Sequence, residues 1–233
     1  MILAAAFCPL PPLLVPEVAA GAAGESDDLR SACREAVRRV AAPGAQLVVL
    51  GPGPVSATYD ARTRGTLAGF GVPLEISLGS DEPGPVELPL SLTVGAWLLR
   101  DVLGPERGAV GYSIGPDDVD RPELRGSAAD PGVPVALLVM GDGSARRSIA
   151  SPGYLDERAA DFDAGVAAAL RSGEADQLHV DAELGAELLA AGSRPWNAAA
   201  DLLEGAGPYD AELLYDAAPY GVGYFVAVWT RRA

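Results

Sequence analysis

The chain has no lysine, one histidine and two cysteines, and aromatic residues make up only 6% of it. Each scarcity closes a class of chemistry. A lone imidazole, His179, excludes a three-histidine metal site within one chain, and also a site of two histidines and a carboxylate. Two cysteines, Cys8 and Cys33, do not make a disulfide framework. Both read as small apolar fillers, Cys8 at a strand end and Cys33 in a helix. A bridge between them is not expected in a reducing compartment. Arginine is the only strong base, and the net charge is −15. Such a surface repels DNA, RNA and anionic lipid, and the pairs Arg38–Arg39 and Arg146–Arg147 are too small to reverse that field. No nucleic-acid or membrane partner is expected. Long apolar runs are missing too. Prolines cut "MILAAAFCPLPP" short and no basic region precedes it, so it reads as neither a signal peptide nor a membrane span. The expectation is a soluble cytoplasmic protein. With few aromatics, Ala, Val and Leu must fill the core, and a hydrophobic content of 49% suffices for a substantial one.

What is present is an alternation of strand and helix signals. Ile2 to Phe7 reads as a buried strand. Glu25 to Ala41 reads as a helix, with Ser26 or Asp27 as its cap and Leu29, Cys33, Ala36, Val37 and Val40 at helical spacing. "QLVVL", residues 46 to 50, is a central strand, so a parallel βαβ unit is expected. The Gly- and Pro-rich stretch from Gly51 to Gly71 follows directly, where ligand loops of open α/β sheets lie. A strand is expected around Pro73 to Ser77, a helix over Leu90 to Leu103, and a strand over 108–115. A polar excursion then runs to Val133. Val133 to Met140 is the clearest buried strand, and Gly141 to Ser144 a tight turn. Helices are expected near Leu155 to Leu170, Asp176 to Ala190 and from Pro195. Ala211 to Tyr215 and Val222 to Trp229 close the chain as strands, with Gly221 and Gly223 marking close backbone approach or a bulge. No repeat or linker divides residues 1–233. The expectation is one α/β domain, a mixed central sheet with helices on both faces.

Two readings fit the turn in "MGDGSARR". Gly141 and Gly143 can take backbone angles closed to other residues, and successive amides would then form an anion-binding nest beside Arg146 and Arg147. The commoner case is a turn in which Asp142 and Ser144 satisfy local amides. Neither the phosphate-loop pattern nor the nucleophile elbow is present. Ser144 would need a base, and His179 falls on a polar helical surface. An all-carboxylate site for magnesium, manganese or calcium would draw on Asp142, Glu212 and Asp216, which share no signature spacing. Glu212 is a ligand-site candidate at the entrance to the last apolar segment, although salt-bridged surface residues are commoner there. Tyr215, Tyr220 and Tyr224 either line a pocket or pack the core rim.

Four segments, "FCPLPPLLVPE", "LVVLGPGP", "LLVMGDGSARRS…PGYLD" and "ELLYDAAPYGVGYFVAVW", together resemble an actinobacterial branch of the class III extradiol dioxygenase superfamily, of the catalytic B-subunit type. The resemblance covers nearly the whole chain. It implies an α/β fold with a mixed sheet. Active members hold non-haem Fe(II) with two histidines and a glutamate, open catechol-type rings with O₂, and use a further histidine for proton transfer. Related proteins keep the fold without the reaction. The first ligand histidine matches Leu10, in the proline-rich bend after the first strand. The second matches Gly53, the acid/base histidine Ala145, and the glutamate Glu212. Leucine, glycine and alanine side chains neither bind iron nor move protons.

The expected protein is therefore a non-catalytic relative that has lost its Fe(II) centre and has no cofactor. A small molecule would lie among Leu10, Gly53, Asp142, Gly143, Ser144, Ala145, Glu212 and Tyr215, or the chain would serve a protein partner. Two alternatives remain open. One is an enzyme, either divergent and metal-dependent or a dioxygenase completed by carboxylates or by a partner's histidines. The other is a structural subunit marked by an exposed apolar patch. The family often works as oligomers, so a homo-oligomer is compatible with each.

Overall fold

The computed structural model describes residues 1–105, 107–116 and 133–232. The polar excursion before Val133 lies almost entirely outside them. Strands β1 (Ile2–Cys8), β2 (Gln46–Pro52), β3 (Ala57–Tyr59), β6 (Ala109–Ile114), β7 (Val135–Met140), β8 (Tyr209–Ala217) and β9 (Tyr224–Arg231) form a seven-stranded sheet in the order β3-β6-β2-β7-β1-β9-β8. A separate two-stranded ribbon pairs β4 (Arg64–Thr66) with β5 (Glu75–Ser77). Pairing is parallel from β6 through β2 and β7 to β1, and antiparallel at β3–β6, β1–β9 and β8–β9. The sheet is mixed, as expected. The first βαβ unit exists, but β7 lies between its two strands, pairing Val139 with both Phe7 and Leu50.

Side-chain alternation splits the core in two. Ala4, Ala6 and Cys8 of β1 face one cluster, and Ala5 and Phe7 face the other. After a short turn of helix, α1 (Pro16–Ala19), the amphipathic α2 (Asp27–Val40) and the nearly all-apolar α3 (Leu90–Leu103) cover the first face. On the second lie α4 (Arg158–Ser172) and α6 (Ser193–Leu203). The protein is thus an α/β fold with helices on both faces of the sheet. Among the described residues, no helix is long and apolar enough to cross a membrane.

Three local expectations are corrected. Neither Ser26 nor Asp27 caps α2; the Ser26 hydroxyl instead donates to the carbonyls of Ala23 and Leu13 and accepts from Arg30 Nη2. The helix expected over Asp176 to Ala190 is a 3₁₀ turn, Ala175–Leu178, and a short α5 (Ala182–Glu187). Asp181 separates them, accepting from the amides of Glu183 and Leu184 as an N-cap. The stretch from Gly51 to Gly71 is not all loop. It contributes β3 to the sheet edge and β4 to the ribbon.

Candidate functional site

Four parallel strands end at one edge of the sheet, where α/β proteins place their ligand sites. Because β9 runs antiparallel to β1, Tyr224 begins at that same edge. The proline bend after β1 is therefore brought against the loop after β7. Within it, Leu14 and Val15 N–H donate to the carbonyls of Pro11 and Pro12. Arg30, only 4% exposed, donates through Nε to Leu14 O at 2.9 Å, and Leu14 and Val15 are fully buried. Leu10 N–H points at a side chain, donating to Asp142 Oδ1 at 2.8 Å.

Asp142 is the focus of this edge. Its backbone carbonyl accepts from Gly192 N–H at 2.8 Å. Protein surrounds its carboxyl closely enough to push the pKa up to about 7, against the opposing pull of the Leu10 hydrogen bond. The residue as a whole is nevertheless only half-buried. The Asp142 charge is felt at two neighbours. Burial raises the Tyr224 hydroxyl pKa, and Asp142 adds to it. Burial also raises that of the Cys33 thiol, followed by its contact with Cys8 and then Asp142. Tyr215 is raised by burial, then by Asp28 and Cys33. Cys8 and Cys33 are free, buried neighbours beneath this edge.

The Gly141–Ala145 loop is not an open nest. Gly141 N–H donates to Cys8 O, Gly143 N–H to Gly223 O and Ala145 N–H to Leu188 O. Ser144 donates its amide to Asp163 Oδ1 and its hydroxyl to Asp163 Oδ2, each at 2.8 Å, and Arg147 Nη1 reaches Oδ2 at 3.0 Å. The anion in this cradle is the chain's own carboxylate. Burial raises the Asp163 pKa, while the Ser144 and Arg147 hydrogen bonds lower it. Ser144 is fully buried and has no access to a substrate. Gly141 and Gly143 do not have positive φ. They are glycines for lack of room: a Cβ at Gly143 would stand 2.7 Å from the Phe225 ring and 2.8 Å from Asp163 Oδ1. Gly223 makes the matching approach, with a Cβ there 2.5 Å from Asp163 Oδ2.

The other candidates divide. Gly53 lies at the same edge, its N–H on Ile114 O at 3.0 Å. A Cβ there would come within 2.6 Å of Ser113 Cβ, so a larger side chain requires Ser113 to move. Tyr215 is half-buried and packs against the core cluster that contains Cys8 and Cys33. Glu212 does not join. It pairs with Val228, level with Ala6 in the middle of β1, and its carboxylate holds Arg39 of α2 at 2.7 Å. Asp216 turns to the other face of the sheet, 3.6 Å from Arg171 of α4, because a bulge between Leu213 and Tyr215 shifts the alternation. The carboxylates offered for a magnesium or manganese site therefore do not converge. Among the described residues, no group of three His, Cys, Asp or Glu side chains could hold a metal ion. Fe(II) does not fit this edge either: Leu10, Gly53 and Ala145 supply no donor atom, and Glu212 is engaged elsewhere. His179 is exposed, 3.1 Å from Glu204.

Arg30 and Asp163 were missed in the sequence, yet both leave a signal there. Asp163 sits on the apolar stripe Ala159, Val166 and Leu170, and Arg30 beside Leu29 and Cys33; a charge at a buried helical position implies an internal partner. The adjacency of Cys8 and Cys33 leaves no such mark.

No family model matches the chain, and no curated protein does. Solved structures that match include the crystal structure of an uncharacterized protein, JW3007, from Escherichia coli K12, which is 15% identical, covers 98% of this chain and 99% of its own, and superposes with a TM-score of 0.47.

Proposed function

We propose that the chain is a non-catalytic relative of the class III extradiol dioxygenases that has lost the Fe(II) centre and binds a small molecule at Asp142. The supporting observation is Asp142 itself: one carboxyl oxygen fixed by Leu10 N–H, the group poised near neutrality, and the residue only half-buried. A ligand of this site presents a hydrogen-bonding edge to Asp142 and an apolar body to the half-buried Leu10. The residue types at the three matched histidine positions support loss of the metal, since none has a donor atom. Metal analysis of tag-free protein is expected to find no stoichiometric iron, and catechol, used as a probe, is expected to bind without being consumed in the presence of O₂. One iron per chain together with ring cleavage, both lost in Glu212→Gln, contradicts the reading.

A second reading, association between copies of the chain, is favoured by one feature. Tyr154 and Leu155 are 75% and 53% exposed, and Leu189, which packs close to Gly153, is 48% exposed. Exposed apolar side chains grouped in this way are what an interaction surface looks like.

A further inference from the structure

A concavity lies outside the Asp142 site. A cleft of about 510 Å³ opens between the segment after the β7 loop and the turn joining β8 to β9, within the roughly 300–1,000 Å³ usual for small-molecule sites. Both walls are fixed. Arg147 N–H donates to Gly221 O at 3.1 Å. Gly221, at φ 71°, rests on the hydroxyls of Ser151 and Ser148, with no room for a Cβ. Tyr220 donates its hydroxyl to Glu25 at 3.0 Å, which sets the orientation of its ring.

The lining divides by chemistry. Arg147 and Ser148 are polar; Ala150, Ala218, Pro219 and the Tyr220 ring are apolar, and no carboxylate contributes. Arg147 binds Asp163 through Nη1 alone. Its Nε and Nη2 have no partner among the described residues, and those two N–H groups form one planar edge that matches a carboxylate in a bidentate pair. Ile149, between two lining residues, is 79% exposed and extends the apolar rim. Charge narrows the choice further. The Arg147 cation is already shared with buried Asp163, and the chain is at −15, so a singly charged anion is favoured over a phosphate dianion.

We propose that this cleft is a binding site for a small aromatic monocarboxylate, its carboxylate on the Nε/Nη2 edge of Arg147 and its ring against Pro219 and Tyr220. Titration of the full chain with benzoate tests it, by calorimetry and by NMR of the arginine Nε resonances. Binding is expected to move Arg147 Nε and leave the Asp142 side-chain carboxyl unmoved. Arg147→Gln is expected to weaken benzoate by at least about tenfold. Because that variant leaves Asp163 short of a partner, Ala150→Trp serves beside it: it fills the cleft from an exposed position, leaves the ion pair intact, and is expected to weaken benzoate equally. The proposal is overturned if benzoate does not bind, if benzyl alcohol or inorganic phosphate binds as tightly, if folded Ala150→Trp binds benzoate unchanged, or if the Asp142 signal moves in place of Arg147.

Discussion

At the scale of single residues, two carboxyl groups at the same end of the sheet do different work. Asp163 is satisfied on both oxygens by Ser144 and Arg147 and locks the loop after β7 to α4. Asp142 accepts one protein N–H on its side chain and keeps its pKa near 7. The sign of the pH effect follows. A carboxyl whose pKa is higher folded than unfolded binds more protons in the native state between about pH 4 and 7, so its ionisation lowers stability as pH rises through that window. Asp142→Asn removes this loss. The variant is expected to gain on the wild type progressively from pH 4 to pH 8 in urea unfolding, with about 4 kcal/mol as the linkage ceiling. An unchanged difference across that range contradicts the assignment. Asp163 titrates in both proteins, so the difference isolates Asp142.

At the scale of elements, the carboxyl edge is set by strand direction and by contacts too close for side chains. The strands β1, β2, β6 and β7 and helix α3 were legible because each is a mostly apolar segment bounded by breakers; α3 lies between Pro89 and Gly104, and its bounds match the sequence reading. The three-residue strands β3 and β4 were not legible. They are ordered by pairing to β6 and β5, not by their own composition. The bend at Leu10 and the loop at Gly141 were found, and the open nest weighed there against a simple turn is absent; nothing local in "GDGSARR" announces that Asp163 of α4 takes up the Ser144 amide and hydroxyl. Glu212 was misplaced for a related reason: its partner Arg39 lies on α2, far away in sequence. At Gly53 the crowding makes a direct prediction. Gly53→Ala is expected to cost about 1–3 kcal/mol through Ser113. Adding Ser113→Gly should recover part of that loss in a double-mutant cycle, although the Ser113 hydroxyl's bond to Val55 O is lost. Additive effects of the two substitutions contradict the contact.

At the scale of the whole molecule, an acidic surface that carries an apolar patch sets the expected solution behaviour. Net charge keeps such a chain apart from nucleic acid and from itself except where apolar surface offsets the repulsion. If the patch of Tyr154, Leu155 and Leu189 joins two copies, sedimentation should show a dimer that Leu155→Asp converts to monomer; a wild-type monomer at all accessible concentrations removes the second reading. The ligand reading does not depend on that outcome, since the Asp142 site is built within one chain.

That reading rests on a carboxyl enclosed by protein at the carboxyl edge of the sheet in a half-buried residue, and carbon-13 NMR of the Asp142 side chain across pH tests it most directly. The expected midpoint is about 7 in the free protein, moving when catechol is added. A midpoint near the ordinary aspartate value of about 3.9, indifferent to the probe, contradicts it.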